Sequence, residues 1–343
     1  MTIRILPNVN IFCFSALFNL IGYDEDYGKP FHPIRTQVRN DLSKFKNNQD
    51  LINLKNCWQT NKLTLSRLSA IALCSEDGFV DFPGPSFDIK YVKEFEPFVS
   101  LLFQACKSLK LIEYYKEKQQ KYYEILINDL DKGIQQFHLG KTLDEFWGIS
   151  LSDKGILYPN PLYAYSFAHC GLINGINISI AGPFGYDPVK NETIFTARSA
   201  IKSLMHEYSH AYVHKINDSI KELEDKTYKE KTAQLFNYAK KEVKKKNLIS
   251  PFSNYNNWDT YFNEHIVRAC ETVFITPKVF TKLWTEEETS HYINSKIEDV
   301  RNKGFVFIDD VIDNFQEVLN NKGTIKEALL KTIDYCFEKY VKN

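Results

Sequence analysis

Apolar positions along this chain recur mostly three and four residues apart, the spacing of a helix, with short stretches where aromatic and β-branched residues run together as in strands. Residues 3 to 13 read as a strand, followed by helices over Phe14 to Ile21 and Ile34 to Phe45. From Lys90 to Gln136, Leu, Phe, Tyr, Lys and Glu keep helical spacing, with Asp88 or Pro97 as start signals. The character changes after Gly155. Leu162 to Phe167 and Ile176 to Ile180 have the bias of strands, and Gly182-Pro183-Phe184-Gly185 supplies a turn. From Thr196 to Ile216 the set Ala200, Ile201, Leu204, Met205, Tyr208, Ala211 and Tyr212 falls on one face and predicts a buried helix. The charged stretch Asp218 to Asn247 ends in Lys244-Lys245-Lys246, which reads as a solvated helix end where cations meet the negative end of the dipole. A polar loop leads to a helix from Asp259 to Ile275, ahead of Pro277, and the rest of the chain adds further helix. The succession predicts an α+β, mainly helical protein. A helical lobe is expected over 1–150, and a second lobe over 151–343 with strands across 161–182, helices at 196–216 and 259–275, and a helical C-terminus.

Composition narrows the function classes. With 343 residues, 43% of them hydrophobic, the chain has ample apolar surface for a large core. Lys plus Arg and Asp plus Glu are 43 each, so no bulk field draws the protein to nucleic acid or an anionic membrane, and neither is expected as a partner. The seven cysteines are odd in number, widely spaced and mostly set in apolar runs; they read as reduced, buried side chains. Ile11 to Tyr23 is interrupted by Ser15 and Asn19 and is too short to span a bilayer. Its flanks do not make a signal peptide, so a cytoplasmic protein is expected. Gly140-Lys141-Thr142 lacks the glycine a phosphate loop needs at Gln135, which removes a nucleotide site.

The chemistry concentrates at His206-Glu207-Tyr208-Ser209-His210, an H-E-x-x-H sequence inside the helix at 196–216. Residues four apart on a helix are displaced by about 40° and ~6 Å, so both imidazoles share a face and can hold one metal ion. Zinc suits two imidazoles plus a carboxylate and acidifies a bound water, and Glu207 stands beside them to accept a proton. Four of the eight histidines, His206, His210, His214 and His265, cluster in this part of the chain. No glycine and histidine follow at the spacing H-x-x-G-x-x-H, so a third ligand is expected from a separate helix. Glu264, in the run Asn263 to Glu271 where Glu264, Arg268 and Glu271 share a face, is the first candidate.

At this point the sequence resembles the gluzincins, the thermolysin-like and aminopeptidase-like zinc peptidases, whose last ligand is a glutamate commonly preceded by asparagine. The resemblance implies a zincin-like core with a small sheet and one Zn2+ per chain. It also implies His206, His210 and Glu264 as ligands, Glu207 as catalytic base, and Glu271 as the runner-up ligand. Two features depart from it. The gap from His210 to Glu264 is long, which implies that 218–247 is an insertion packed outside the site. Where thermolysin-like enzymes place an aspartate that supports a zinc-bound histidine, this chain has Arg268, which cannot accept an imidazole N–H. Arg268 is therefore expected to orient Glu264 or hold a substrate carboxylate. The chain is also similar to a bacterial family of zincin-like proteins carried as a domain of unknown function. The shared pattern is Leu17-Phe18-Asn19-Leu20-Ile21-Gly22-Tyr23, His206 to His210, and Glu264-His265-Ile266-Val267-Arg268-Ala269, over roughly residues 9 to 275.

Other residues near the motif carry weaker signals. His265, Tyr261, Tyr255, His291 and Tyr292 are candidates to donate a hydrogen bond to an oxyanion, and His214 to reach the rim. Ile176-Asn177-Ile178-Ser179-Ile180 is a candidate edge strand for pairing with an extended peptide. The leading expectation is a zinc metallopeptidase acting on a peptide or protein. Its rivals are a noncatalytic interaction or scaffold protein, metal-stabilised or metal-free, and a hydrolase of another bond. Substrate sequence, endo- or exopeptidase action and oligomeric state stay open.

Overall fold

The computed structural model describes residues 2–23, 31–61, 75–76, 79–80, 89–151, 154–163, 168–173, 176–221, 226–281 and 283–342. Among the described residues it is mainly helical, with a small sheet, an α+β protein as expected. Contacts divide the chain into two units, Met1–Gln136 with Ser152–Glu207, and Phe137–Leu151 with Tyr208–Asn343. This differs from the expected division at residue 150, because the chain returns to the first unit to lay down most of the sheet. Among the described residues no helix is long and apolar enough to cross a membrane.

The first unit begins with β1 (Thr2–Ile5), α1 (Val9–Ile21), α2 (Pro33–Leu42), α3 (Gln49–Asn61), the hairpin β2 (Ser75–Glu76) and β3 (Phe79–Val80), α4 (Ile89–Ser108), α5 (Leu111–Tyr114) and α6 (Gln120–Gln135). After α7 (Leu139–Trp147), which belongs to the second unit, come β4 (Lys154–Pro159), β5 (Ala168–Ile173), β6 (Ile176–Ala181), β7 (Gly185–Asp187) and β8 (Glu192–Ile194). The strand expected over 3–13 stops at Ile5, since Pro7 cannot continue it and Asn8 caps a helix, accepting from the Ile11 N–H at 3.0 Å. Pro97 does not start α4 but lies inside it, and Asp88 is outside the described residues. The strand expected over 162–167 is also displaced. Leu162 and Tyr163 form a buried turn, residues 164–167 are outside the description, and the strands lie on either side as β4 and β5.

The main sheet has the order β1-β4-β6-β5. β1, β4 and β6 run parallel, with Ile5 opposite Leu157 and Leu157 opposite Ser179, while β5 is antiparallel to β6. α1 is buried all round, with Phe12, Phe14, Ala16, Leu17 and Phe18 at 1% exposure or less, as an apolar helix at the centre of a core must be. Its two polar residues explain the N-terminal motif. Ser15 accepts from Asn160 Nδ2 (2.6 Å) and donates to Ile11 O, while Asn19 donates to Leu162 O (3.2 Å) and accepts from Arg35 Nε (2.7 Å). The Tyr23 hydroxyl donates to the same Leu162 carbonyl at 3.2 Å. Gly22 between them ends α1 at φ 91°, a conformation a side chain would strain. The motif thus ties the central helix to the turn that follows β4.

The second unit contains α7, the C-terminal half of α8 (Ala197–Lys221), α9 (Lys226–Lys245), α10 (Trp258–Ala269) and a π-helical turn over Cys270–Ile275. α11 (Thr276–Phe280), α12 (Glu286–Asn302), α13 (Ile308–Asn320) and α14 (Ile325–Phe337) complete it. α12 and α14 start with capping boxes, Thr285 with Glu288 and Thr324 with Glu327. α10 is the central element, with Tyr261 through Val267 all buried. The helical part of the expected insertion, α9, is built into this core. α9 packs on α14 and on α10, and Phe236 meets the Tyr261 ring at 5.8 Å. Lys245 and Lys246 at its end pair with Glu242, in keeping with a solvated helix terminus.

Candidate metal centre

His206 and His210 sit one turn apart on α8, both partly exposed, and Glu264 comes from α10, where its side chain is 3% exposed. One ligand atom from each of the three lies within 4.8 Å of the others, and His210 Nε2 is 3.3 Å from Glu264 Oε2. Donor atoms on bonds of about 2.1 Å around a tetrahedral ion stand roughly 3.4 Å apart, so the residues fit one small cation. The boundary between the contact units falls between Glu207 and Tyr208, but α8 is continuous through it. Glu207, beside His206, is partly exposed.

Packing within the second unit fixes the lower half of α8. The Tyr212 ring stacks on Trp147 (centroids 5.9 Å apart, 12° between planes) and its hydroxyl donates to Asp144 Oδ1 at 2.6 Å. Two turns beyond His210, Asn217 Nδ2 donates to Asn263 Oδ1 at 2.5 Å. The asparagine before Glu264 therefore locks α10 to α8 and sets the height at which Glu264 meets His210.

Glu264 is held from its other side by a cation. Arg268 Nη2 lies 2.5 Å from Glu264 Oε1, one helical turn along α10. Burial opposes the charge on Arg268, but the carboxylates of Glu264 and Glu271 outweigh it and raise its pKa. The guanidinium also lies 5.1 Å over the Phe305 ring. Tyr255, in the loop before α10, lies beside both Glu264 and Arg268. Burial, then the charge on Glu264, pushes the Tyr255 hydroxyl up and keeps it protonated. Of the two roles expected for Arg268, this geometry carries the first, orienting Glu264.

Glu264 rather than Glu271 joins the histidines. Glu271 lies seven residues further on, about 10 Å along the helix axis at 1.5 Å per residue, too far for the same ion. His265 and Tyr261 are buried in the core. His265 Nε2 accepts from the Phe307 N–H (3.3 Å), so its proton sits on Nδ1, which donates to Tyr261 O (2.9 Å). Burial drives its pKa down to about 3. The Tyr261 hydroxyl donates to Gly304 O (2.8 Å) and accepts from the Val306 N–H (3.3 Å). Both side chains hold the segment before α13 and are not available to an oxyanion. His214 is exposed, its ring 6.4 Å from that of His210. On α12, Tyr292 packs on Trp284 and His291 is exposed. Ile176 to Ile180 is no edge strand: β6 has β4 on one side and β5 on the other, so its backbone groups are engaged in the sheet and cannot receive a peptide.

Tyr255 was legible only as one of several tyrosines near the motif; its contact with Glu264 depends on the loop between α9 and α10, which no periodicity describes. Asn217 and Asp144 gave no signal at all. Comparison with known proteins returned one family: residues 84–329 match Domain of unknown function (DUF4932). No curated protein and no solved structure matches. The match spans well over half of the sequence, and the chain belongs to that family.

Proposed function

Starting from that membership, we propose that this chain is a zinc-dependent metallopeptidase, with His206, His210 and Glu264 holding one Zn2+ and Glu207 as the catalytic base. The observation that carries the reading is the meeting of three donor atoms within 4.8 Å, two of them from an H-E-x-x-H helix. A zinc ion supplies Lewis acidity and makes water nucleophilic near neutral pH. The chain's own residues do the rest. Glu207 accepts the proton of the attacking water and passes it to the leaving amine. Arg268 and Tyr255 hold Glu264 in the orientation a ligand needs, in place of the aspartate that supports a histidine in thermolysin-like enzymes.

The test has two steps. Purified protein prepared with excess zinc is expected to hold about one ion per chain, lost in the His206→Ala/His210→Ala variant. Glu207→Gln is then expected to keep the metal and lose cleavage of a mixed peptide library; turnover at the wild-type rate in that variant rejects the base. A second reading, a noncatalytic metal-stabilised interaction protein, draws on the buried Glu264–Arg268 pair, which compensates the carboxylate's charge without any substrate. A chelator-sensitive melting temperature together with no cleavage of any library peptide selects it.

A further inference from the structure

Cys13 and Cys106 stand on different helices of the first unit, α1 and α4, yet line the same pocket of about 460 Å3. Both thiols are free and buried, at 1% and 7% exposure, and Cys13 is the charged or polar neighbour that most affects the Cys106 thiol. The pocket walls are apolar at Phe14 and Phe103, and the exposed lining residues Lys107, Ile112 and Glu113 lead from the sulfurs towards solvent. Two cysteines that only filled a core would be packed against carbon on every side. Here both cysteines line one open space much larger than a water molecule.

We propose that Cys13 and Cys106 form a dithiol site for a thiophilic ion, a soft d10 cation or a trivalent arsenical, with the adjoining pocket holding the organic group that accompanies it. Metal–sulfur bonds of about 2.3 Å separate two bridged sulfurs by roughly 3.5–4.5 Å, the spacing of thiols in contact. Two sulfur donors without imidazole favour soft ions over zinc or magnesium. The neighbouring Cys13 thiol, with burial, pushes the Cys106 thiol up, so Cys106 is a poor nucleophile towards peroxide and is suited instead to an ion that displaces its proton.

Phenylarsine oxide tests this directly. Its arsenic–oxygen bond and two S–H bonds break, two As–S bonds form, and water leaves, with no change of oxidation state. The reduced full chain is expected to take one arsenical, seen by intact mass, that survives a tenfold excess of a monothiol. Cys13→Ser and Cys106→Ser each abolish it and Cys57→Ser does not. Circular dichroism melts confirm that the variants fold, with Cys106→Ala as the substitute if the serine variant does not. Cu(I) titrated against a chromophoric chelator forms the second arm, and one equivalent lost in the same variants supports the site. The proposal is overturned if neither probe binds the folded chain, or if binding persists in the Cys13 and Cys106 variants.

Discussion

Replacing Arg268 by methionine separates its effect on Glu264 from a packing role. Methionine keeps most of the side-chain volume that lies over Phe305 but removes the charge 2.5 Å from Glu264 Oε1. Glu264 is 3% exposed, so the variant is left with a buried carboxylate whose compensating cation is gone. Breaking a buried pair in this way costs about 3–5 kcal/mol, a loss of roughly 4–7 °C in melting temperature for a chain of this size. A divalent ion at His206, His210 and Glu264 delivers positive charge to the same carboxylate. Zinc is therefore expected to recover half or more of the loss, and to stabilise Arg268→Met more than it stabilises wild type. Calorimetry of both proteins with chelator and with excess zinc measures the four melting temperatures. Glu264→Gln/Arg268→Met, in which the buried charge is absent, should be more stable in chelator than Arg268→Met alone. The reasoning is refuted if Arg268→Met in chelator melts within about 1 °C of wild type, or if zinc stabilises the two proteins equally.

Four further outcomes follow from the surroundings of this site and from the first unit. His32 caps α2, its Nδ1 accepting from the Ile34 N–H and its Nε2 facing the Tyr122 hydroxyl, and burial lowers its pKa to about 4. The unfolded chain takes up this proton first, so the stability from neutral His32 is complete above pH 6.5 and is lost as pH falls towards 4, by up to about 3 kcal/mol. His32→Asn, which keeps a capping acceptor, should flatten the urea-unfolding profile over that window. Gly304 has φ +78° and a Cβ there would lie 2.6 Å from Ile249 O, so Gly304→Ala is expected to cost at least about 2 kcal/mol, and an unchanged denaturation midpoint contradicts this. Asn19→Leu leaves Arg35 Nε without its 2.7 Å acceptor and should destabilise the first unit by about 2–3 kcal/mol, while Tyr23→Phe, which removes one of two donors to Leu162 O, should cost about 1 kcal/mol in the same melts.

Much of the helical framework was legible because helical periodicity is local. The motif helix expected at 196–216 forms over Ala197–Lys221, and the one expected at 259–275 forms over Trp258–Ala269 and the π-helical turn. The ligand pair His206 and His210 follows from the same rule, since spacing along one helix fixes which side chains share a face. The sheet was less legible. β4 joins β1, about 150 positions earlier, and β6 joins β4, so a short apolar strand that reads as an edge is an interior strand.

The sequence by itself determined that a helix carries two imidazoles and a carboxylate in register, and that an Asn-Glu pair waits on a later helix, because both depend on nearest neighbours along the chain. Tertiary structure decided what surrounds them. It turned His265 and Tyr261 into the core, brought Glu264 rather than Glu271 to the histidines, and set Arg268 and Tyr255 against Glu264. Those outcomes depend on which elements pack against α10, and a pattern of apolar positions states that a face is buried without stating what buries it.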